Sequence, residues 1–159
     1  MITVILISRM PELSENDLAE LSQKVLEHND RQGWTVPAPD LYPHQWLWDS
    51  CFIAIGLSNV NLERAQAEIL NLLRGQWSNG MLPHIIFSHD HDRRERQLWR
   101  SYLSPYAPHG VLTSGLTQPP VVAEAVLQIG KKMKLPERRS WYRRIYPHLL
   151  RHHEWLYAE

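Results

Sequence analysis

Apolar residues recur at helical spacing along most of the chain. After Ser14, the positions Leu18, Leu21, Val25 and Leu26 fall on one helical face until Gly33 supplies a stop. Ser14 with Asp17 three residues later has the form of a capped helix start. Residues 34–41, WTVPAPDL, read as a proline-bearing loop. A second helix is predicted from Pro43 to about Leu57, and its nearly all-round apolar sequence predicts burial on most faces. A third runs from Leu62 to Arg74, with Leu62, Ala65, Ile69, Leu72 and Leu73 as its apolar stripe. The tripeptide SNG at 78–80 signals a turn. From Pro83 to Thr117 no clean period exists, which predicts a loop of about 35 residues with a short helix near Gln97–Leu103. Pro119 and Pro120 open a strong helix, VVAEAVLQIGKK, with Gly130 near its end. Pro136 begins a last helical region through Tyr157, expected to break near Pro147. The apolar start at 2–7, ITVILI, fits a short strand or an irregular entry. With no strict repeat, low-complexity tract or linker, residues 1–159 read as one all-α domain of consecutive helical pairs.

Composition narrows the class. Hydrophobic residues make up 43% and charged ones 21%, an ordinary globular balance. Seven tryptophans against two phenylalanines skew the aromatic content toward rings with a polar handle, as binding surfaces favour. Formal net charge is zero, so no global field recruits nucleic acid. The basic excess concentrates in residues 131–144, KKMKLPERRSWYRR, which reads as a solvated helix surface. One cysteine, Cys51, excludes an internal disulfide, suits a reducing compartment, and sits among Phe52, Ile53 and Ile55 as a packed thiol. The six-residue ITVILI lacks a basic lead and is too short for a signal peptide or a membrane span. The expectation is a cytoplasmic protein with no membrane and no nucleic-acid partner.

Three clusters offer chemistry. In LYPHQWLWDSC, residues 41–51, a helix starting at Pro43 would put Tyr42, Trp46 and Asp49 on one side, with Trp48 flanking. Pyranose C–H faces pack on aromatic rings, and a carboxylate accepts two hydroxyl hydrogen bonds at once. The competing reading is a buried aromatic helix whose Asp49 pairs with an arginine. In GQWSNGMLPHIIF, residues 75–87, Trp77 and the SNG turn sit at a chain reversal, and His84 could meet a hydroxyl at the same rim. In TSGLTQPP, residues 113–120, Gln118 projects from a helix start that two prolines lock. The stretch SHDHD, residues 88–92, invites a metal reading, but no HExxH or cysteine pair accompanies it and RRER follows, so charge pairing on a solvated loop is expected. No P-loop, GxGxxG or nucleophile elbow occurs, and no metal or cofactor is expected.

In this order, YPHQWLWDSCFIAIGL, QWSNGMLPHIIF and TSGLTQPPVVAEAV resemble the front part of the (α/α)6-barrel glycoside hydrolases of the family 63 type. The likeness is strongest to the bacterial mannosylglycerate and glucosylglycerate hydrolases and covers roughly residues 34–157. It implies helical hairpins forming about half of an (α/α)6 toroid. It implies that Tyr42, Trp46, Trp48 and Asp49 hold a sugar at the pocket floor and that Gln118 binds ligand; His84 and Trp77 join the substrate-binding candidates from the residue pattern of 75–87 alone. It implies an inverting hydrolysis of a small α-glycoside such as glucosylglycerate or mannosylglycerate. In that family the acid precedes a Ser-Pro-Arg-like run and the base lies later still. Here the only Ser-Pro, Ser104-Pro105, follows Leu103, so no catalytic residue is expected within these 159 residues. Self-association or a complementing C-terminal half is the matching expectation. A non-catalytic carbohydrate-binding module, or a helical scaffold using the 131–144 stretch, are the readings from other classes.

Overall fold

The computed structural model describes residues 13–88 and 97–158. The ITVILI start and His89–Asp92 of SHDHD lie outside the described residues. The first helix, α1, spans Glu15–Asn29 and begins with the expected capping box. Ser14 Oγ accepts the Asp17 N–H at 3.2 Å, and Asp17 Oδ2 accepts the Ser14 N–H at 3.0 Å. Its apolar stripe is bare: Leu18, Leu21 and Val25 are exposed, while Leu26 packs against the core.

The next elements depart from expectation in register. Gln45–Trp46 form a short strand, β1, and helix α2 spans Leu47–Leu57, so the helix starts four residues after Pro43. The reason is a partner in the aperiodic region. Ile85–Ile86, β2, pairs antiparallel with β1, matching Gln45 to Ile86 and Trp46 to Ile85. The Leu47 N–H, free at the helix start, donates to the His84 carbonyl at 3.0 Å. Thr113 bridges the far side of Ile86, which folds the long irregular segment back along β2.

Helix α3 spans Leu62–Leu73, with Asn61 Oδ1 accepting the Arg64 N–H at 2.9 Å as its cap. Within the irregular segment, residues 97–99 are helical and Ser101–Leu103 form a 3₁₀ turn. Helix α4 spans Val122–Lys131 and α5 spans Leu135–Ala158. The break expected near Pro147 is absent; α5 runs through it. Pro147 frees the Arg143 carbonyl, and both residues are exposed, so water can take the lost bond.

α2 with α3, and α4 with α5, make consecutive hairpins around one core. Leu47, Cys51, Ala65, Ile69, Ala125 and Ile129 are fully buried in it. Trp141 closes the far end, its indole N–H donating to the Val126 carbonyl at 3.1 Å. Phe52 points outward and is exposed, so α2 is buried on one side, not all round.

Beneath β1 lies a buried polar hub. Glu68 on α3 is fully buried. Its Oε1 accepts from the Thr35 N–H at 3.3 Å, Gln45 Nε2 at 3.1 Å and Ser50 Oγ at 2.5 Å. Its Oε2 accepts from Thr35 Oγ1 at 2.8 Å and Arg64 Nη2 at 2.9 Å. Arg64 also binds Asp30 at 2.6 Å. A carboxylate buried this deep survives only because each oxygen is paired. The hub ties the 30–46 loop and the start of α2 to α3.

Candidate functional site

The start of α2 gathers most of the candidate residues of the sequence. Trp46 is its N-cap, in extended conformation and with no side-chain capping bond of its own. The missing cap comes from a distance: Gln118 Oε1 accepts the Trp48 N–H at 3.2 Å. This bond brings Gln118 against the helix start and leaves its amide nitrogen with donors to spare.

A row of rings runs along the same rim. Tyr42 meets Trp46 edge to face at 5.4 Å, Trp46 meets His84 at 5.5 Å, and His84 meets Trp99 at 5.3 Å. Tyr42 and Trp48 are 49% and 42% exposed, which leaves ring surface open to a ligand. The Trp46 indole N–H is buried and has no partner among the described residues.

Asp49 occupies the first turn of α2, where the helix dipole favours a carboxylate. It is half-buried and forms no ion pair with a described residue. Burial pushes its carboxyl above the usual aspartate value, opposed by its own backbone N–H and by the Trp48 side chain. The arginine-paired alternative is therefore not what the described residues show.

His84, just after Pro83, is half-buried. Its Nδ1 lies 2.6 Å from Ser114 Oγ and 3.3 Å from the Leu116 carbonyl oxygen. Burial lowers its pKa, with the Leu116 carbonyl pulling the other way. Trp77 is placed elsewhere. Instead of the exposed turn position expected for it, the ring is 8% exposed, with its N–H donating to Thr113 Oγ1 at 2.9 Å beneath the 113–115 stretch. Trp99 and Ser114 belong to the assembled rim and carry no sequence signal that marks them, because the aperiodic segment gives no register from which to place them.

A larger cleft of about 520 Å³ lies between α3 and α5, lined by Arg74, Arg144, His148 and Leu70 among others, and shares no residue with this rim. It contributes cations and aliphatic surface but no carboxylate, so the α2 rim is the better candidate for holding a polyhydroxylated ligand. Among the described residues no group of three His, Cys, Asp or Glu is placed to hold a metal ion, and no helix is long and apolar enough to cross a membrane.

Comparison with known proteins adds the lineage. The model of the mannosylglycerate hydrolase MGH1-like glycoside hydrolase domain matches residues 42–159. Mannosylglycerate hydrolase from Thermus thermophilus is 46% identical over 139 residues, which are 84% of this chain and 32% of that protein. Glucosylglycerate hydrolase from Mycolicibacterium hassiacum is 39% identical over 155 residues, 92% of this chain and 35% of that protein. The crystal structure of a family 63 mannosylglycerate hydrolase from Thermus thermophilus, in complex with Tris and D-glycerate, superposes with a TM-score of 0.74 at 43% identity. That superposition covers 89% of this chain and 33% of the other. The same enzyme in complex with glucose gives a TM-score of 0.69 at 40% identity, over 89% of this chain and 35% of that one. The chain thus spans about a third of the length of these relatives. Its helical hairpins are those of the family 63 fold, and the chain belongs to the MGH1-like glycoside hydrolase family.

Proposed function

We propose that this chain supplies the sugar-holding part of an inverting glycoside hydrolase acting on a small α-glycoside such as glucosylglycerate or mannosylglycerate. The observation that carries the reading is Asp49: half-buried, without an ion pair among the described residues, and in contact with the side chain of half-exposed Trp48. Its two oxygens would accept a pair of sugar hydroxyls while the rings cover the sugar's C–H face. His84 and the spare Gln118 amide donors would surround the remaining hydroxyls. Trp77 would act from beneath, holding Thr113 and with it the irregular stretch that carries Ser114. The names of the relatives, mannosylglycerate and glucosylglycerate hydrolase, support the substrate class.

Inversion needs an acid and a base about 6.5–9.5 Å apart, with a water between base and sugar. Asp49 is the only carboxylate between Tyr42 and Leu57. In this proposal both catalytic groups belong to the part of the toroid outside the third of the relatives' length that these residues span, and a complementing C-terminal half or self-association covers the apolar faces left open here. Two apolar faces support that arrangement. One is the exposed stripe Leu18, Leu21 and Val25 on α1. The other is a groove of about 410 Å³ between α4 and α5, lined by Ala123, Val126, Leu127, Tyr142, Tyr146 and Leu149. Residence in the cytoplasm fits the buried free thiol of Cys51.

The test is a titration of the 15N-labelled chain with glucosylglycerate, mannosylglycerate and glucose, read at the tryptophan indole signals. Saturable shifts at Trp46 and Trp48 that vanish in Asp49→Asn are expected. Shifts absent up to tens of millimolar, or unchanged in Asp49→Asn, would remove the sugar reading.

A further inference from the structure

His84 has two ring nitrogens in unlike surroundings, and a count of protons around one of them decides what the other offers. Ser114 is fully buried, and its Oγ accepts the Ile85 N–H at 3.2 Å. The hydroxyl proton has two destinations: His84 Nδ1 at 2.6 Å, or the Leu116 carbonyl at 3.5 Å. If Nδ1 carried the ring proton, its two acceptors would be Ser114 Oγ at 2.6 Å and the Leu116 carbonyl at 3.3 Å, and the nearer one, Ser114 Oγ, would take that N–H beside the Ile85 N–H. Its own proton would then be left with the 3.5 Å contact, at the edge of what counts as a hydrogen bond. If Nδ1 is bare, the serine accepts from Ile85 and donates a short bond to the imidazole, and every group is paired. The second arrangement satisfies the buried network.

From this we propose that Ser114 is a positioning residue that holds neutral His84 as the Nε2–H tautomer, so that His84 presents a hydrogen-bond donor, and never an acceptor, to the rim. Nε2 has no partner among the described residues and is not sealed from solvent, so its proton is available to a ligand oxygen. The ring is packed against both Trp46 and Trp99, at 5.5 and 5.3 Å, and these contacts together with the Ser114 bond restrict the donor direction as well as its identity. Backbone support comes from the His84 N–H, which donates to the same Leu116 carbonyl at 2.7 Å. The chemistry selected is an oxygen with a free lone pair, such as a hydroxyl, ring or carboxylate oxygen, and a ligand group that can only donate is excluded there. The tautomer stands on the serine network alone. Only the identity of the ligand rests on the sugar reading.

Long-range 15N–1H correlation of the imidazole at pH 7.5 reports which ring nitrogen carries the proton, with His84→Gln supplying the assignment. The expected result is Nε2–H in the native chain, a shift to Nδ1–H in Ser114→Ala, where the Leu116 carbonyl becomes the only nearby acceptor, and a return to Nε2–H in Ser114→Thr. Titration with glucosylglycerate should weaken about tenfold in Ser114→Ala, the order of one hydrogen bond lost, and recover in Ser114→Thr. A native spectrum showing Nδ1–H, or an unchanged tautomer in Ser114→Ala, overturns the proposal. Should Ser114→Ala fail to fold, the native spectrum decides by itself. Nε2–H with no saturable sugar binding would sink the sugar reading and leave the positioning role of Ser114 in place.

Discussion

Replacing Glu68 by alanine removes the carboxylate that five donors share: the Thr35 N–H and hydroxyl and the Ser50 hydroxyl lose their acceptor, while Gln45 Nε2 keeps only the residue-68 backbone carbonyl and Arg64 Nη2 keeps only Asp30 and Thr35 Oγ1. Arg64 keeps Asp30, but its Nη1 is already buried without a partner, so the guanidinium loses its deeper anchor. Removing one side of a buried, hydrogen-bonded charge pair costs about 3–5 kcal/mol. For a domain of this size 1 kcal/mol moves Tm by about 2–4 °C, so the expected drop is about 6–20 °C. Thermal unfolding followed by circular dichroism measures it. Glu63→Ala, an exposed position in the first turn of the same helix, is the control and should stay within about 0.5 kcal/mol of the parent. A Glu68→Ala chain that melts within about 3 °C of the parent would refute the reasoning, because the hub would then be decoration on a core that folds without it.

Asp49→Asn should stabilise the chain at neutral pH while abolishing sugar binding. The folded state raises the Asp49 pKa above 3.8, so its contribution to stability is full below that value and fades as pH rises through the folded value. The gain in Tm should therefore be present at pH 7 and vanish at pH 3; an equal gain at both would refute the burial argument. Burial pushes the Cys51 thiol to about 12, so Ellman's reagent at pH 8 should leave it unmodified in the folded chain and react on unfolding, and prompt reaction under native conditions would contradict its placement. Gly80 has φ +104 and lies against the Arg151 carbonyl oxygen, where a Cβ has no room. Gly80→Ala should cost more than about 2 kcal/mol by strain and overpacking, and an unchanged Tm would show that α5 does not press on this turn.

What the sequence revealed followed the range of the forces involved. α3 is predicted from Leu62 to Arg74 and observed from Leu62 to Leu73, because an amphipathic stripe and an asparagine cap are local signals. The start of α2 is displaced because Gln45 and Trp46 give their backbone groups to Ile85 and Ile86, far along the chain in a segment without periodicity. Pro147 escapes the expected rule because it and Arg143, whose carbonyl it frees, both face water, which no local pattern in the sequence announces. Of the residues singled out by their clustering in the sequence, Tyr42, Trp46 and His84 meet ring to ring, Gln118 reaches the Trp48 N–H, and Asp49 touches the Trp48 side chain. Trp99 and Ser114 reach the same rim through the aperiodic return stretch, and Trp77 passes under it. The Glu68 hub is equally hidden, since an isolated glutamate on an amphipathic helix reads as surface until its five donors are placed.

The crowding of aromatic rings around Asp49 has a geometrical cause in that hub. The residues from Gln45 to Ser50 turn from strand to helix, and their side chains divide among three destinations. Gln45 and Ser50, at the two ends, reach down to Glu68. Leu47 enters the core fully buried, and Cys51 follows it one turn later. Trp46, Trp48 and Asp49 are the remainder, and with the floor and the core already taken they face the rim. A strand-to-helix junction is the local geometry that can send residues 46, 48 and 49 outward together, since a regular strand would separate 48 from 49 and a regular helix would separate 46 from 48. The polar hub is thus what makes the rim. Losing the Glu68 carboxylate should free Ser50 and leave Gln45 tied only to the residue-68 backbone carbonyl and Asn71, which loosens the junction, so in Glu68→Ala chains that still fold, the ligand-induced indole shifts of Trp46 and Trp48 should weaken in parallel with the loss of Tm. Ligand shifts that stay at full strength while Tm falls would show that β1 pairing with β2 holds the junction without the hub.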